Sequence, residues 1–225
     1  MQQPSIELFN FLIIDPINTL TDLFVSLVYF YAFHQLGKLQ RGERVHILFR
    51  YYFLIMGISI LVGGIFGHAF QHYLGHVWKL PGWLLSIFAI YLLELTAIAH
   101  AKPLLKPSII KIYQAAALIA LVLFLFIVIY TQDFKFIGFH SAFGMVVITF
   151  TLSAFIWRYT RNVASQYIML AIVITSISGI VFASQISISP WFNHLDICHV
   201  FLAIAAWVFY IGAKSLELIP EHITA

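Results

Sequence analysis

Seven apolar runs, each long enough to cross a bilayer as a helix, divide the chain at about 17–37, 48–73, 81–101, 111–131, 137–158, 164–186 and 194–214. A spanning helix needs roughly 20 apolar residues, and in lipid the backbone must satisfy its own polar groups, which open strands and loops cannot do. The composition agrees with this. With 62% hydrophobic and only 9% charged residues and a mean hydropathy of +0.95, the chain is too apolar to be covered by water as a globule. Seven helices and their short connections use up the 225 residues. Residues 1–225 are therefore expected to form one all-α domain, a bundle of seven transmembrane helices.

The charges orient that bundle. Of the twelve Lys and Arg, ten fall in alternate connections: Lys38, Arg41, Arg44 and Arg50, then Lys102, Lys106 and Lys111, then Arg158 and Arg161, then Lys214. Only Lys79 and Lys135 lie at the other ends. Positively charged short loops stay in the cytoplasm, so the N-terminus is expected outside and the C-terminus inside. Trp78, Trp83, Trp191, Tyr73 and Tyr130 collect at the expected outer boundary, where amphipathic rings belong. The formal charge of +3 is spread over short loops without a basic stripe, so nucleic acid is not an expected partner. The N-terminus lacks the positive start and small-residue cleavage site of a removed signal, so the first apolar run is expected to remain as a helix. The single cysteine, Cys198, allows no internal disulfide and reads as a small buried apolar residue.

Ionisable residues within apolar helices carry the functional information, because a charged side chain at the bilayer centre costs at least ~2.5–3.5 kcal/mol. The outward-running second helix ends GGIFGHAFQHYLGH, with His68, His72 and His76 four residues apart. At about 100° per residue, His68 and His72 share a face. The seventh helix begins at the same end with FNHLDICHVF, in which Asp196 and His199, three apart, also share a face. Two helices thus present pairs of metal ligands at one depth. Asp22, in the outer third of the first helix, is at the right level to meet them, whereas Glu94 on the third helix lies deeper. His140 is a further contributor at the outer start of the fifth. His34, His46, His100 and His222 sit at cytoplasmic boundaries and His76 and His194 near outer ones, positions where histidine ordinarily bonds water or headgroups. Gly63, Gly64 and Gly67 read as a notch that lets helices approach closely.

Imidazoles with a carboxylate suit Zn²⁺, and three protein ligands leave a position for an activated water; iron and copper fit the same donors. Seven helices with a small residue four positions before a His on the second, and a His motif at the start of the seventh, resemble the CREST superfamily of membrane hydrolases. That superfamily includes alkaline ceramidases and the progestin and adipoQ receptors. The resemblance implies zinc held by one His of the second helix and two of an H-x3-H on the seventh, aided by a Ser four residues before the first His and an Asp near the third helix. His68 and His199 match two of these ligands. Gly64 stands at the Ser position, Leu195 at the earlier seventh-helix His, and the third helix has no Asp near its outer end.

The expected function is a metal-dependent intramembrane hydrolase acting on a lipid amide or ester. His68, Asp196 and His199 hold the metal, His72 is a fourth ligand or general base, and Asp22 handles protons. Gly64 has no hydroxyl to offer the transition state, and His72 and Ser86 are candidates to supply a donor in its place. Two readings from other classes compete. One is a haem-binding electron carrier, with His68 and His140 as axial ligands; the other is a non-catalytic lipid receptor. A retinal protein is disfavoured, since Lys214 is at the cytoplasmic end of its helix.

Overall fold

A computed structural model describes residues 3–219. Helix α1 spans Pro16–Lys38, and α2 spans Arg44–Val62 and runs without a break into a π-helical turn, Gly63–Ala69. The short α3, Gln71–Leu74, and a 3₁₀ turn, His76–Lys79, lead into α4, Leu80–Ala101. α5 covers Pro107–Thr131. The next rod joins α6, Lys135–Ala142, a second π-helical segment, Phe143–Phe150, and α7, Thr151–Thr160. α8, Val163–Ser184, and α9, His194–Lys214, complete the bundle.

Six of these rods are long and apolar enough to cross a membrane. They run over Arg44–Ala69, His76–Leu104, Pro107–Thr131, Lys135–Thr160, Val163–Ser184 and His194–Lys214. α1 has the length but falls short in apolarity, because Asn18, Thr19, Thr21, Asp22 and Ser26 crowd its first half. The chain is thus a membrane protein of apolar helices.

Local sequence explains the helix ends. Prolines open α1, α4 and α5, where a missing N–H costs nothing. Asn162 caps α8 by accepting from Ser165 N–H at 3.1 Å, and Asn193 and Asp196 form a reciprocal capping box at α9. The second apolar run, expected to continue to 73, stops as a continuous helix at Phe70, and Gly75 then takes φ 81°.

The two ends of the bundle differ. At one end Arg41 donates to the carbonyls of Lys214 and Leu216, and His46 Nε2 meets the Leu216 carbonyl. His100 and Asn162 both reach the carbonyl of Glu217 there. Residues in or beside the other three Lys- and Arg-rich segments therefore converge on the end of α9 and the stretch after it. At the other end His76 meets the Gln132 carbonyl, and a hairpin of β1, Ile6–Leu8, and β2, Phe11–Ile13, lies against residues 69–73. Ile14 N–H donates to Ala69, Leu12 N–H donates to the Tyr73 hydroxyl, and Phe11 packs edge-on to Phe70 and Tyr73.

α1 packs between α2 and α9, α2 packs on α4, and α8 packs on α9. Cys198 and Ser178 exchange side-chain hydrogen bonds with each other's carbonyls at 3.2 Å, which ties α9 to α8. A buried aromatic cluster of Tyr29, Phe49, Tyr52, Phe53 and Phe209 joins α1, α2 and α9 on the basic half. First and last long helices are neighbours, and the candidate site lies between them.

Candidate functional site

Helix periodicity puts Asp15, Asn18 and Asp22 on one face of the start of α1, the positions at i, i+3 and i+7. Asp15 precedes Pro16 in the left-handed region, φ 49° and ψ 55°, so its side chain points away from the helix N-terminus and makes no cap. It reaches His68 instead, with Oδ2 at 3.4 Å from Nδ1. Asp22, almost wholly buried, directs Oδ1 to His199 Nε2 at 3.2 Å and Oδ2 to His68 Nε2 at 3.8 Å. The carboxylate stands between two imidazoles from α9 and from the π-helical turn.

A glycine makes that approach possible. A Cβ on Gly64 would lie 2.7 Å from Asp22 Cβ and 3.3 Å from Oδ2, closer than packed carbons tolerate. Of the three glycines expected to form a notch, Gly64 receives Asp22, Gly67 lies against the Lys79 stem, and a Cβ on Gly63 would meet nothing within 4 Å.

The carboxylates beside the two rings place their protons. A carboxylate only accepts, so His68 carries its proton on Nδ1, toward Asp15. Thr21 Oγ1 lies 2.7 Å from His199 Nδ1. That hydroxyl has one proton and three oxygen acceptors in reach: the carbonyls of Ile17 and Asn18 at 3.0 Å each and Asp196 Oδ1 at 3.3 Å. By the same rule His199 carries its proton on Nε2, toward Asp22 Oδ1 at 3.2 Å, and the Thr21 hydroxyl donates to Nδ1, the nearest acceptor. His68 Nε2 alone then turns a lone pair toward the Asp22 carboxylate, at 3.8 Å.

The donor set, two imidazole nitrogens and a carboxylate, is that of a zinc-type ion, with Asp15 and Thr21 orienting the rings as outer partners do. As the side chains stand, no group of three or more His, Cys, Asp or Glu among the described residues is arranged to hold a metal ion. Direct Asp–His contact occupies the space between the rings.

Asp196 has a different environment from the one expected of a ligand. Its Oδ2 accepts from Asn193 N–H at 2.8 Å and from Gln3 Nε2 at 2.6 Å, while Thr21 lies near Oδ1. With the Asn18 amide turned so that nitrogen faces the carboxylate, Asn18 donates to Oδ1 at 2.8 Å. Asp196 thus pins the first turn of α9 to α1 and to Gln3. Gln3 in turn accepts from the N–H groups of Ile17 and Asn18 and donates to the Trp191 carbonyl.

The remaining expected residues lie apart. His72 is exposed on α3, edge-on to Tyr73, because the helix break at Phe70 removes it from the face of His68. His76 rests on Trp83, and His194 near Phe182. Ser86 donates to the Trp83 carbonyl in its own helix. His140 and Glu94 are fully buried, and none of their side-chain nitrogens or oxygens has a hydrogen-bond partner among the described residues. His140 lies against Phe124, and Glu94 lies over Gly144, one turn further along the same rod. His34 is exposed, and His222 lies outside the described residues.

Sequence reading did not single out Asp15, Thr21, Asn18 or Gln3. The spacing of Asp15 and Asp22, two helical turns, was the available signal for the first.

No curated protein and no solved structure matches the chain. A family model matches residues 17–218, from the first turn of α1 to beyond α9, and the chain belongs to that family, a family of unknown function, DUF6962.

Proposed function

We propose that the chain is a metal-dependent intramembrane hydrolase that acts on an amide or ester of a membrane lipid. The observation that carries the reading is the convergence of His68 Nε2, His199 Nε2 and the Asp22 carboxylate, with the outer nitrogens of both rings already committed to Asp15 and Thr21. In this reading α1 crosses the bilayer as a seventh span. The end holding His68 and His199 faces outward, and the basic end faces the cytoplasm; the ten-to-two split of Lys and Arg supports that orientation.

His68, His199 and Asp22 would hold the ion, with zinc preferred by the donors and iron or copper compatible with them. Bound there, the ion supplies a Lewis acid that polarises an acyl carbonyl and acidifies water. With the ion bound, Asp15 and Thr21 would accept the Nδ1 protons of the two rings and leave both Nε2 lone pairs to the ion. Asp22 substitutes for the earlier seventh-helix histidine of the CREST hydrolases and fills the volume that a serine at position 64 would need. Asp196 belongs to the supporting layer and holds α9 in register with α1.

The test is elemental analysis and absorption spectroscopy of the purified protein, together with hydrolysis of ceramide and acyl-ester lipids. Near-stoichiometric zinc, no Soret band, and turnover abolished reversibly by a chelator are expected. His68→Ala, His199→Ala and Asp22→Asn should each lower metal content together with thermal stability. Metal content unchanged in both histidine variants, or a Soret band in the wild type, would sink the reading.

A further inference from the structure

At the basic end a cavity of about 260 Å³ opens between α1 and the start of α2, with Gln40, Arg41, His46, Arg50 and Tyr51 on its wall. Among the described residues, no Asp or Glu lines it. Glu43, the nearest acid in sequence, directs its carboxylate to His46 Nδ1 at 3.0 Å. Arg50 sits six residues into α2, about 9 Å below its first residue at 1.5 Å per residue. Its guanidinium lies 4.4 Å over the Phe33 ring and against Gly37, where a Cβ would come within 2.7 Å of Nη2. Its Nε is buried without a hydrogen-bond partner, and among the described residues Arg50 forms no ion pair. Arg41 uses Nη1 on the carbonyls of Lys214 and Leu216, which leaves its other donors free.

Two guanidinium groups, one of them sunk into the bundle, with no carboxylate among the described wall residues and the one neighbouring acid, Glu43, turned to His46, form a site for an anion. A guanidinium fork matches the oxygens of a phosphate. The source follows from where the cavity opens. Ile47 and Tyr51 line it and are 41% and 46% exposed, on the flank of α2 that faces lipid, so acyl chains can lie along them while the phosphate reaches Arg50. A second cavity, about 470 Å³, lies on the other side of α2 and is lined by Arg44, Lys102 and Lys111, again without an acid. Its cations are carried on long stems at the helix ends, and it serves as the comparison.

We propose that the Arg41–Arg50 cavity binds the phosphate of an anionic phospholipid from the leaflet at the basic end. The proposal is independent of the hydrolase reading, since the cavity and the histidines lie at opposite ends of the bundle. Basic pockets between spanning helices are how membrane proteins recognise such headgroups.

The experiment is titration of the full chain, in phosphatidylcholine nanodiscs, with phosphatidylglycerol, and in parallel with inorganic phosphate, read by native mass spectrometry and thermal shift. Phosphatidylglycerol should bind saturably to one site and raise the unfolding temperature, and inorganic phosphate at equal concentration should do neither. Arg50→Gln should weaken lipid binding by about tenfold or more, the loss expected for one charge-assisted contact. Arg50→Lys, which keeps the charge and the fold but not the fork, should fall in between, and Lys111→Gln in the second cavity should leave binding unchanged. Equal binding by wild type and both Arg50 variants would overturn the proposal. So would saturable binding of inorganic phosphate with no preference for the phospholipid.

Discussion

Asp22 and Glu94 are both carboxylates buried within helices, and each lies over a glycine of a neighbouring rod, Gly64 for one and Gly144 for the other. Around Asp22 each oxygen faces an imidazole, each imidazole is held from behind by Asp15 or Thr21, and Asp196 ties the next turn to Asn18 and Gln3. Around Glu94 neither oxygen has a partner, and His140, one turn from Gly144, has none for either ring nitrogen. Burial alone is common to both. The difference lies in the polar layer behind the first, which costs sequence at five or six positions and is the mark of a site whose geometry is specified.

The comparison makes opposite demands on apolar substitution. Asp22→Leu strips the partner from two imidazoles at once, and an unsatisfied buried polar group costs about 1–3 kcal/mol. We expect a lower unfolding temperature in detergent together with absence of bound metal, and an unchanged unfolding temperature would erase the contrast. Asp196→Ala removes the reciprocal cap of α9, worth about 0.5–2 kcal/mol, and the anchor of Gln3. Metal content should survive in this variant, which separates a supporting carboxylate from a ligand; its disappearance would return Asp196 to the ligand set. The smallest effect belongs to the double variant Glu94→Leu with His140→Phe. Removing both orphaned groups with shape kept should leave stability within about 1 kcal/mol of wild type or raise it. A marked drop measured in the same thermal scan would show that the Glu94 region carries bonds of its own.

The helical rods were legible in the sequence because length and apolarity set them directly, and the runs and the rods overlap throughout. α1 is the informative exception: its polar half, which lowers its apolarity, is the half that builds the candidate site. The face shared by Asp196 and His199 was legible as well, and Thr21 touches both. The partnership of His68 with His72 was not, because a helix wheel assumes unbroken α geometry and the chain turns π-helical at Gly63 and breaks at Phe70. The capping role of Asp196 stood in the sequence as an Asn three residues before it, a helix-start signal outweighed by the appeal of a carboxylate beside histidines. Gln3 precedes the first helix, where no periodicity operates, and Asp15, although two turns from Asp22 in spacing, stands at the helix start in the left-handed region, so the position of both depends on contacts with α9 and the π-helical turn. Sequence patterns report what a segment does by itself, and those two residues are placed by their neighbours.

Thr21 and His199 are 178 residues apart and touch. At a synthesis rate of about 5–20 residues per second, roughly 10–35 s separate their appearance on the ribosome. Throughout that interval the polar face of α1 is without its counterpart on α9. A nascent chain that stalls before its last helix therefore displays Asp15, Asn18, Thr21 and Asp22 to whatever surveys unfinished membrane proteins, and release of α9 is the event that conceals them.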